Sequence, residues 1–318
     1  MRIRPEVHGV VNVNKPAGMT SHDVVDAVRK ILGVRRVGHT GTLDPQATGV
    51  LPLCVGRATR IAQYLTQADK EYLMTLRLGI TTDTLDAAGR ETGRVEDVRV
   101  RREELEAVLP RFTGEIQQMP PLYSAKKIRG ERMYRLARRG EAVERQPVAV
   151  RVHSLELLEF APPFVRLRTV CSKGTYARSL CDDIGRALGC GGHLHALTRT
   201  RSGRFRMDGV ITLAQLEDYA TQGRLAEALI PVSEALSHLP AVRVTPEAGR
   251  VVLHGGGIPV ALVAQLPPEV APGMLVRVLG YRKQLLCLAE AQLGSAELPG
   301  AEPTRLALRS VRVFGGAG

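Results

Sequence analysis

Residues 38–49, which read GHTGTLDPQATG, constrain the fold of this chain more than any other stretch. Gly38, Gly41 and Gly49 permit tight turns or a close approach of a ligand to the backbone. Pro45 biases the residue before it away from helix and toward extended geometry. The stretch is therefore expected to form an irregular loop of fixed conformation that presents a single carboxylate.

That carboxylate belongs to Asp44, and His39 and Thr40 supply a ring and a hydroxyl close to it in sequence. An aspartate before proline often caps its own turn, which is one interpretation of Asp44, and a site built around a lone acid is the other. Arg178, a candidate charge partner for such an acid, is also explained by an ion pair with Asp182 one helical turn later. These local patterns leave both interpretations open.

Length and composition describe a protein with room for two domains. The chain has 318 residues, of which 44% are hydrophobic, so it can form sizeable cores without disulfides. Its five cysteines are scattered and odd in number, and no charged leader followed by an apolar run opens the sequence. No run approaches the roughly 18 apolar residues that span a bilayer. We expect a soluble, cytoplasmic monomer with no membrane association and no implied protein partner.

The charge balance favours a polyanionic partner. Lys and Arg number 44 against 32 Asp and Glu, which gives a net charge of +12 and a pI near 9.9. Two clusters hold much of the excess: Lys126, Lys127, Arg129, Arg132, Arg135, Arg138 and Arg139 against the single acid Glu131, and Arg199, Arg201, Arg204 and Arg206 with no acid. Such clusters suit the phosphates of a nucleic acid better than a globular fold requires.

Hydrophobic periodicity predicts strands and helices in alternation. The apolar residues 10–13 predict a buried strand, and Thr20 and Asp23 form a Thr-x-x-Asp start for the helix that follows. Residues 72–78 alternate between apolar and polar, which predicts a strand with Tyr72 on its apolar, inward face.

In the second half, prolines, glycines and charge over residues 120–147 predict a mobile arm that carries a helix over residues 131–138. Residues 175–188 have helical spacing, with Tyr176 and Arg178 in the first turn.

A change in composition near residue 240 predicts a domain boundary. Helical patterns continue to about residue 236, and short β-rich segments then alternate with Gly and Pro. We expect one domain over residues 1–240 and a second, a small β-barrel or sandwich, over residues 241–318.

Metal and nucleotide sites find little support. Cys181, Cys190, His193 and His195 have the spacing C-x8-C-x2-H-x-H, whereas structural zinc sites usually bring cysteines within two to four residues. Cys181 also falls on the apolar stripe of its helix, which indicates a core position. The glycine-rich loop has neither the Walker lysine nor the Rossmann spacing. We expect no metal and no nucleotide cofactor.

The loop and the residues that follow it, VLPLCVGRATR, resemble the tRNA pseudouridine-55 synthases, the TruB-type enzymes. Further segments resemble that family in order along most of the chain: NKPAG (14–18), KEY (70–72), TDTLD (82–86), PLYSAKK (121–127), CSKGTYAR (171–178) and LTRT (197–200). So many ordered matches are highly specific.

The resemblance implies an isomerase that converts one uridine in the T-loop of tRNA to pseudouridine, without a cofactor or a metal. Asp44 would be the nucleophile, and Arg178 would orient it and keep it ionised, since a nearby positive charge lowers a carboxylate pKa. Tyr72 would stack on the flipped base and assist proton removal. Attack on the ribose C1′, attack on the base and a glycal intermediate all remain open.

The same resemblance implies the binding residues: His39, Tyr72, Tyr176, Leu197, Lys15, Lys126, Lys127, Arg129 and Arg132. His39 would fill the space that the flipped base leaves, and the arm would close over the T-stem. The connector over residues 83–86 would also contact RNA.

The implied fold is α+β, with a mixed, largely antiparallel central sheet flanked by helices, and a small C-terminal β-rich PUA-like domain. A rival function is a tRNA-binding folding chaperone that uses the same cleft and arm without dependence on catalysis. The presence of Asp44, Tyr72 and Arg178 together favours the enzyme.

Overall fold

The computed structural model describes residues 7–124, 127–128, 131–133, 139 and 144–314. The strands are β1 (Gly9–Lys15), β2 (Val37–His39), β3 (Thr48–Val55), β4 (Lys70–Leu78), β5 (Ile80–Thr82), β6 (Glu91–Arg94), β7 (Gly114–Gln118), β8 (Lys127–Ile128), β9 (Glu131–Arg132), β10 (Val148–Ala161), β11 (Phe164–Cys171), β12 (Gly192–Ser202), β13 (Phe205–Arg206), β14 (Ala241–Val244), β15 (Ile258–Pro259), β16 (Val263–Gln265), β17 (Leu275–Leu279), β18 (Leu285–Ala291) and β19 (Leu306–Val313). The α-helices are α1 (Ser21–Leu32), α2 (Ala62–Thr66), α3 (Arg102–Val108), α4 (Ala177–Ala187), α5 (Leu213–Thr221), α6 (Leu225–Ala228), α7 (Val232–Ala235) and α8 (Ala248–Leu253).

The larger sheet has the strand order β1-β3-β12-β4-β11-β10-β7, with β2 paired to β3 and β13 to β12. Its pairs are antiparallel except for β3 with β12, which run parallel. This mixed, largely antiparallel sheet confirms the predicted fold class. The parallel pair brings the end of the glycine-rich loop beside β12.

Helices cover the sheet with the apolar faces that the periodicity predicted. In α1, Thr20 and Asp23 form the predicted capping box, and Val24 and Val28 are buried. In α4, Leu180 and Ile184 belong to the buried cluster that includes side chains of β4 and β11. The core that supports the loop and the start of α4 is therefore continuous with the sheet.

The second sheet begins at Ala241 and has the strand order β15-β19-β18-β17-β14-β16. The sequence predicted a small β-barrel or sandwich here, and the strands join in one six-stranded sheet. Leu288 and Phe314 share a buried cluster with Val10 and Cys54 of the larger sheet. Arg277 reinforces this contact, because its guanidinium donates to carbonyls that precede the second sheet.

Two local expectations need correction. Glu131–Arg132 is a strand paired with Lys127–Ile128, so the helix predicted over residues 131–138 does not begin at 131, and residues 134–138 lie outside the described residues. Tyr176 is the extended N-cap of α4 instead of a residue in its first turn. In the described ranges, no helix is long and apolar enough to cross a membrane.

Gly49 is the residue on which the parallel pairing depends. Its φ is +99°, and a Cβ there would lie 2.3 Å from the carbonyl oxygen of Arg199, with which Gly49 is paired. Gly49→Ala should therefore lower the free energy of unfolding by at least about 2 kcal/mol, because it adds backbone strain and a clash with backbone that cannot move aside. Urea unfolding followed by circular dichroism measures this loss.

Gly38→Ala is the matched control in the same loop, because a Cβ at Gly38 meets nothing within 4 Å. Its unfolding free energy should stay within about 0.5 kcal/mol of the wild type, as for an unconstrained surface change. Equal losses in the two variants would contradict the role given to Gly49.

Candidate active site

The glycine-rich loop, β4, β12 and the start of α4 surround a cleft of about 240 Å³. Its lining includes five residues predicted from sequence to act in catalysis or base binding: Asp44, Tyr72, Tyr176, Arg178 and Leu197. These residues are far apart in the chain, so the fold brings the predicted set together.

Asp44 and Arg178 form a two-pronged ion pair at the centre of this cleft. Arg178 Nη2 donates to Asp44 Oδ1 at 3.0 Å, and Arg178 Nε lies 2.9 Å from Asp44 Oδ2. The Arg178 side chain is 8% exposed and that of Asp44 is 37% exposed. Paired contacts of this kind fix direction as well as proximity. The carboxylate is thereby aimed while part of it stays accessible.

This pairing bears on the two local interpretations that the sequence left open, a turn cap for Asp44 and an ion pair with Asp182 for Arg178. The turn at Asp44 is closed by the backbone, since Ala47 N–H donates to the Asp44 carbonyl at 3.0 Å, and the carboxylate is engaged by Arg178. Asp182 pairs with Arg186 instead of Arg178. The turn-cap and local ion-pair interpretations were therefore wrong.

Two further segments hold the guanidinium of Arg178, the connector over residues 83–86 and the base of the arm. Arg178 donates to the carbonyl of Thr84 at 3.2 Å and to that of Tyr123 at 2.9 Å. Its Nη1 also lies 3.6 Å from Asp86 Oδ2. Sequence reasoning gave the connector around Asp86 a contact with RNA, whereas the structure turns this carboxylate toward the arginine. A charged pattern in a connector does not reveal which charge turns inward.

Burial in the cleft raises the pKa of Asp44 above its usual value, and the carboxylate of Asp86 raises it further. Arg178 opposes both effects and lowers it. The net direction is upward, opposite to the expectation from the charge of Arg178 alone, because desolvation is the larger effect. Asp44 thus depends on Arg178 to stay ionised.

Two tyrosines form walls of the cleft. Tyr72, on β4, is half-buried; burial raises the pKa of its hydroxyl, which the nearby Arg199 guanidinium counteracts in part. Burial also raises the pKa of Tyr176. Both hydroxyls are therefore protonated at neutral pH, so each tyrosine offers a hydrogen-bond donor and the face of its ring. Tyr72 needs a proton acceptor of its own before it can remove a proton from substrate.

Gln118 holds Tyr176 in place and was not found from sequence. The Tyr176 N–H donates to Gln118 Oε1 at 2.9 Å, and Gln118 Nε2 donates to the Tyr176 carbonyl at 3.3 Å. Gln118 is fully buried at the end of β7. A single glutamine at the end of a strand carries no motif, so only the folded chain reveals this role.

Lys15 occupies a different place from the one expected of a substrate-binding residue. It is fully buried, and its ammonium donates to the carbonyls of Pro16, Pro45 and Ala47 at 2.8, 2.9 and 2.6 Å. Burial lowers the pKa of Lys15 to about 8. With its three protons engaged, Lys15 supports the Asp44 loop from behind and cannot reach RNA.

His39 lies at the end of β2, half-buried, where its Nδ1 accepts the Gly41 N–H at 3.3 Å. It stands beside the loop and outside the lining of the cleft. Of the predicted arm contacts, Lys126 and Arg129 lie outside the described residues. Lys127 and Arg132 are placed by their backbones in β8 and β9.

The cysteines and histidines considered as metal ligands take part in core packing and backbone contacts. Cys181 is fully buried in the cluster under α4, and His193 Nδ1 lies 2.8 Å from the Ile80 carbonyl oxygen. Within the described part of the chain, no group of three or more His, Cys, Asp or Glu side chains is placed to hold a metal ion.

Family models and known sequences match most of this chain. The model described as "TruB family pseudouridylate synthase (N terminal domain)" matches residues 29–177, and that described as "tRNA pseudouridylate synthase B C-terminal domain" matches residues 178–237. The tRNA pseudouridine synthase B of Pelotomaculum thermopropionicum is 44% identical over 290 residues, which cover 90% of this chain and 92% of that protein. The enzyme of the same name from Pseudomonas aeruginosa is 47% identical over 257 residues, 80% of this chain and 84% of that protein.

Solved structures give the same relationship. A chain from a crystal structure of a Cbf5-Nop10-Gar1 complex has a TM-score of 0.76 and 34% identity, over 96% of this chain and 84% of that chain. A chain from an H/ACA RNP bound to a substrate RNA containing 2′-deoxyuridine has a TM-score of 0.76 and 30% identity, and the match covers 98% of this chain and 91% of that chain. The chain therefore belongs to the tRNA pseudouridine synthase B family, as its ordered motifs predicted.

Proposed function

We propose that this chain isomerises one uridine in the T-loop of tRNA, at position 55, to pseudouridine, with Asp44 as the nucleophile. Membership of the family supports an isomerase that acts on uridine in tRNA. The observation that carries the assignment of the site is the two-pronged ion pair between Arg178 and the partly exposed carboxylate of Asp44 in the cleft. An aimed, partly accessible carboxylate is what attack on a nucleotide requires.

The reaction breaks the bond between uracil N1 and the ribose C1′ and forms one between uracil C5 and C1′. It neither oxidises the substrate nor adds atoms to it. Asp44 acts in its ionised form, and Arg178 supplies the charge that offsets the desolvation of the carboxylate. Tyr72, Tyr176 and Leu197 surround the space next to Asp44 where the base would turn.

A base stacked inside a folded loop cannot reach Asp44, so the nucleotide is flipped into the cleft at a cost of about a few kcal/mol. The ring of Tyr72 offsets this cost by stacking on the base, which is worth about 1–3 kcal/mol for an aromatic side chain. Tyr176 and Leu197 complete the pocket. His39, beside the loop, fills the position that the flipped base leaves in the RNA.

The RNA interface extends beyond the cleft. The basic arm over residues 120–147 closes on the T-stem and recognises folded shape and phosphates. Residues 241–318 form a PUA-like domain that contacts the RNA as a second unit, and residues 1–240 form the catalytic domain. The five cysteines are free thiols, which supports action in the reducing cytoplasm. We propose that the protein acts there as a monomer.

Asp44→Asn should abolish isomerisation while its affinity for tRNA stays within a few fold of the wild type, because the amide keeps the shape of the carboxylate but is not a nucleophile. Mapping of pseudouridine in T-arm RNA after incubation measures turnover and position together. A tRNA whose T-loop target is replaced by cytidine serves as the substrate control. Retained turnover in Asp44→Asn would overturn the mechanism, and modification only outside the T-loop would overturn the substrate.

Arg178→Met should move the acid limb of the pH profile of the single-turnover rate to higher pH by about 1–3 units, since an adjacent cation lowers a carboxylate pKa by that amount. The sign follows from the ionised form being active: the pKa of Asp44 is already raised by burial, and loss of the cation raises it further. Arg178→Lys keeps a charge and should shift the limb less. If the maximum rate falls but the acid limb of the pH profile does not move, Arg178 only orients Asp44.

Replacement of Arg132, Arg135 and Arg138 by glutamine should weaken tRNA binding and flatten its salt dependence. Each lost contact with a duplex phosphate removes about 0.9 from the slope of log K against log salt concentration. Filter binding at several salt concentrations measures the slope. The charge-matched control replaces Arg99, Arg102 and Arg224, which pair with neighbouring acids at 2.5, 2.7 and 2.6 Å. Equal slope changes in both triple variants would remove the special role of the arm.

A further inference from the structure

Two buried cations, Arg199 of β12 and Lys70 of β4, lie beside Tyr72 on the floor of the cleft. Arg199 is 1% exposed and Lys70 is 5% exposed, and both line the same cleft as Asp44. Arg199 stands directly opposite Tyr72 in the pairing of β12 with β4. The sequence placed Arg199 in a phosphate-binding cluster, but its burial removes it from any surface that the RNA backbone could reach.

The charges of these two side chains have neutral partners. Arg199 donates to the carbonyls of Val50 and Gly41 at 2.7 and 3.1 Å. Lys70 donates to the carbonyl of Thr66 at 2.7 Å and to that of Ala68. Among the described residues, no carboxylate lies within the 4.0 Å that defines an ion pair with either cation.

A buried cation without a counter-ion is costly, so its retention calls for an explanation. Burial, and next to it the charge of Arg199, lowers the pKa of Lys70 to about 8, which still leaves it charged at neutral pH. A guanidinium has five N–H donors and an ammonium has three. Arg199 engages two carbonyls and the Tyr72 hydroxyl, and Lys70 engages two carbonyls, so each keeps donors to spare. The floor of the cleft thus keeps positive charge and hydrogen-bond donors for a further acceptor.

The anion that fits this place is the uracil base. Phosphates of a bound RNA stay at the rim of a cleft that admits one flipped base, and only the base itself reaches the floor. When the bond from N1 to C1′ breaks, its electron pair goes to uracil N1 and spreads onto O2 and O4. C1′ bonds to an Asp44 oxygen, or Asp44 takes the 2′ proton of the ribose to give a glycal. The detached uracil then carries one negative charge until C5 bonds to C1′. That bond releases the Asp44 carboxylate, or in the glycal path the 2′ proton returns to the ribose; the C5 proton is then lost to a base and N1 is protonated.

We propose that Arg199 and Lys70 form an anion site that stabilises the detached uracil while it turns from N1 to C5. Preorganised donors aimed at developing charge are worth the most in a water-excluded site. This inference rests on the proposed function of the cleft. It adds two catalytic residues that act on the leaving base, next to Tyr72 and to Gly41 of the loop that carries the nucleophile.

The test compares single-turnover loss of uridine and of 5-fluorouridine at the target position of otherwise identical T-arm RNA. Fluorine withdraws electrons and stabilises the uracil anion, so it should compensate for a missing cation. Arg199→Met should slow loss of uridine by about 10²–10³-fold, as for removal of one such donor, with tRNA affinity within a few fold. Its deficit on 5-fluorouridine should be at least tenfold smaller. Arg199→Lys, which keeps the charge, should recover part of the rate.

Arg201→Met is the matched control, because Arg201 lies two residues along β12 and faces Glu71 at 3.7 Å. Any loss in this variant should be equal for the two substrates. If Arg199→Met does not fold by circular dichroism, Lys70→Met decides by the same comparison. If the folded variant loses the same factor in rate on uridine and on 5-fluorouridine, the anion site is overturned. The proposed function still stands in that case, provided that the wild type is active. An inactive wild type would instead overturn the proposed function.

Discussion

The ion pair between Asp44 and Arg178 is the contact on which the rest of the site depends. It joins residues 134 positions apart, and the same guanidinium bonds the carbonyls of Thr84 and Tyr123. Four separate segments of chain therefore meet on one planar group. Because loss of one partner would leave a buried charge uncompensated, the loop, the connector, the base of the arm and α4 are coupled in position.

Buried cations hold the irregular loop where no strand ladder can. The carbonyls of Pro45 and Ala47 accept from Lys15, and the carbonyl of Gly41 accepts from Arg199. Buried backbone acceptors need partners, and here long basic side chains supply them. The frame of Asp44 is thus electrostatic as well as steric. The charge that satisfies the loop also makes the cleft positive.

The extent of prediction from sequence follows from the range of each interaction. Alternation along β4 and the capping box of α1 are local, so periodicity predicted both elements, and the ordered motifs predicted the family. The parallel pairing at Gly49 and the buried amide of Gln118 join segments distant in sequence, and no local pattern marks them. Lys15 was assigned to RNA through the resemblance alone; only the fold reveals the three carbonyls that accept from its buried ammonium.

The charges around the cleft explain how one site can favour both an ionised nucleophile and an anionic leaving group. Lys70, Lys173, Arg178 and Arg199 line it and Lys15 supports its loop, five cations against the two carboxylates of Asp44 and Asp86. The cations occupy two places: Arg178 faces Asp44, whereas Arg199 and Lys70 lie beside Tyr72. A base that enters between them excludes water, which strengthens both interactions together. As negative charge leaves Asp44 and appears on uracil, it moves from one cationic partner toward the other, so the cleft needs no rearrangement to stabilise both states.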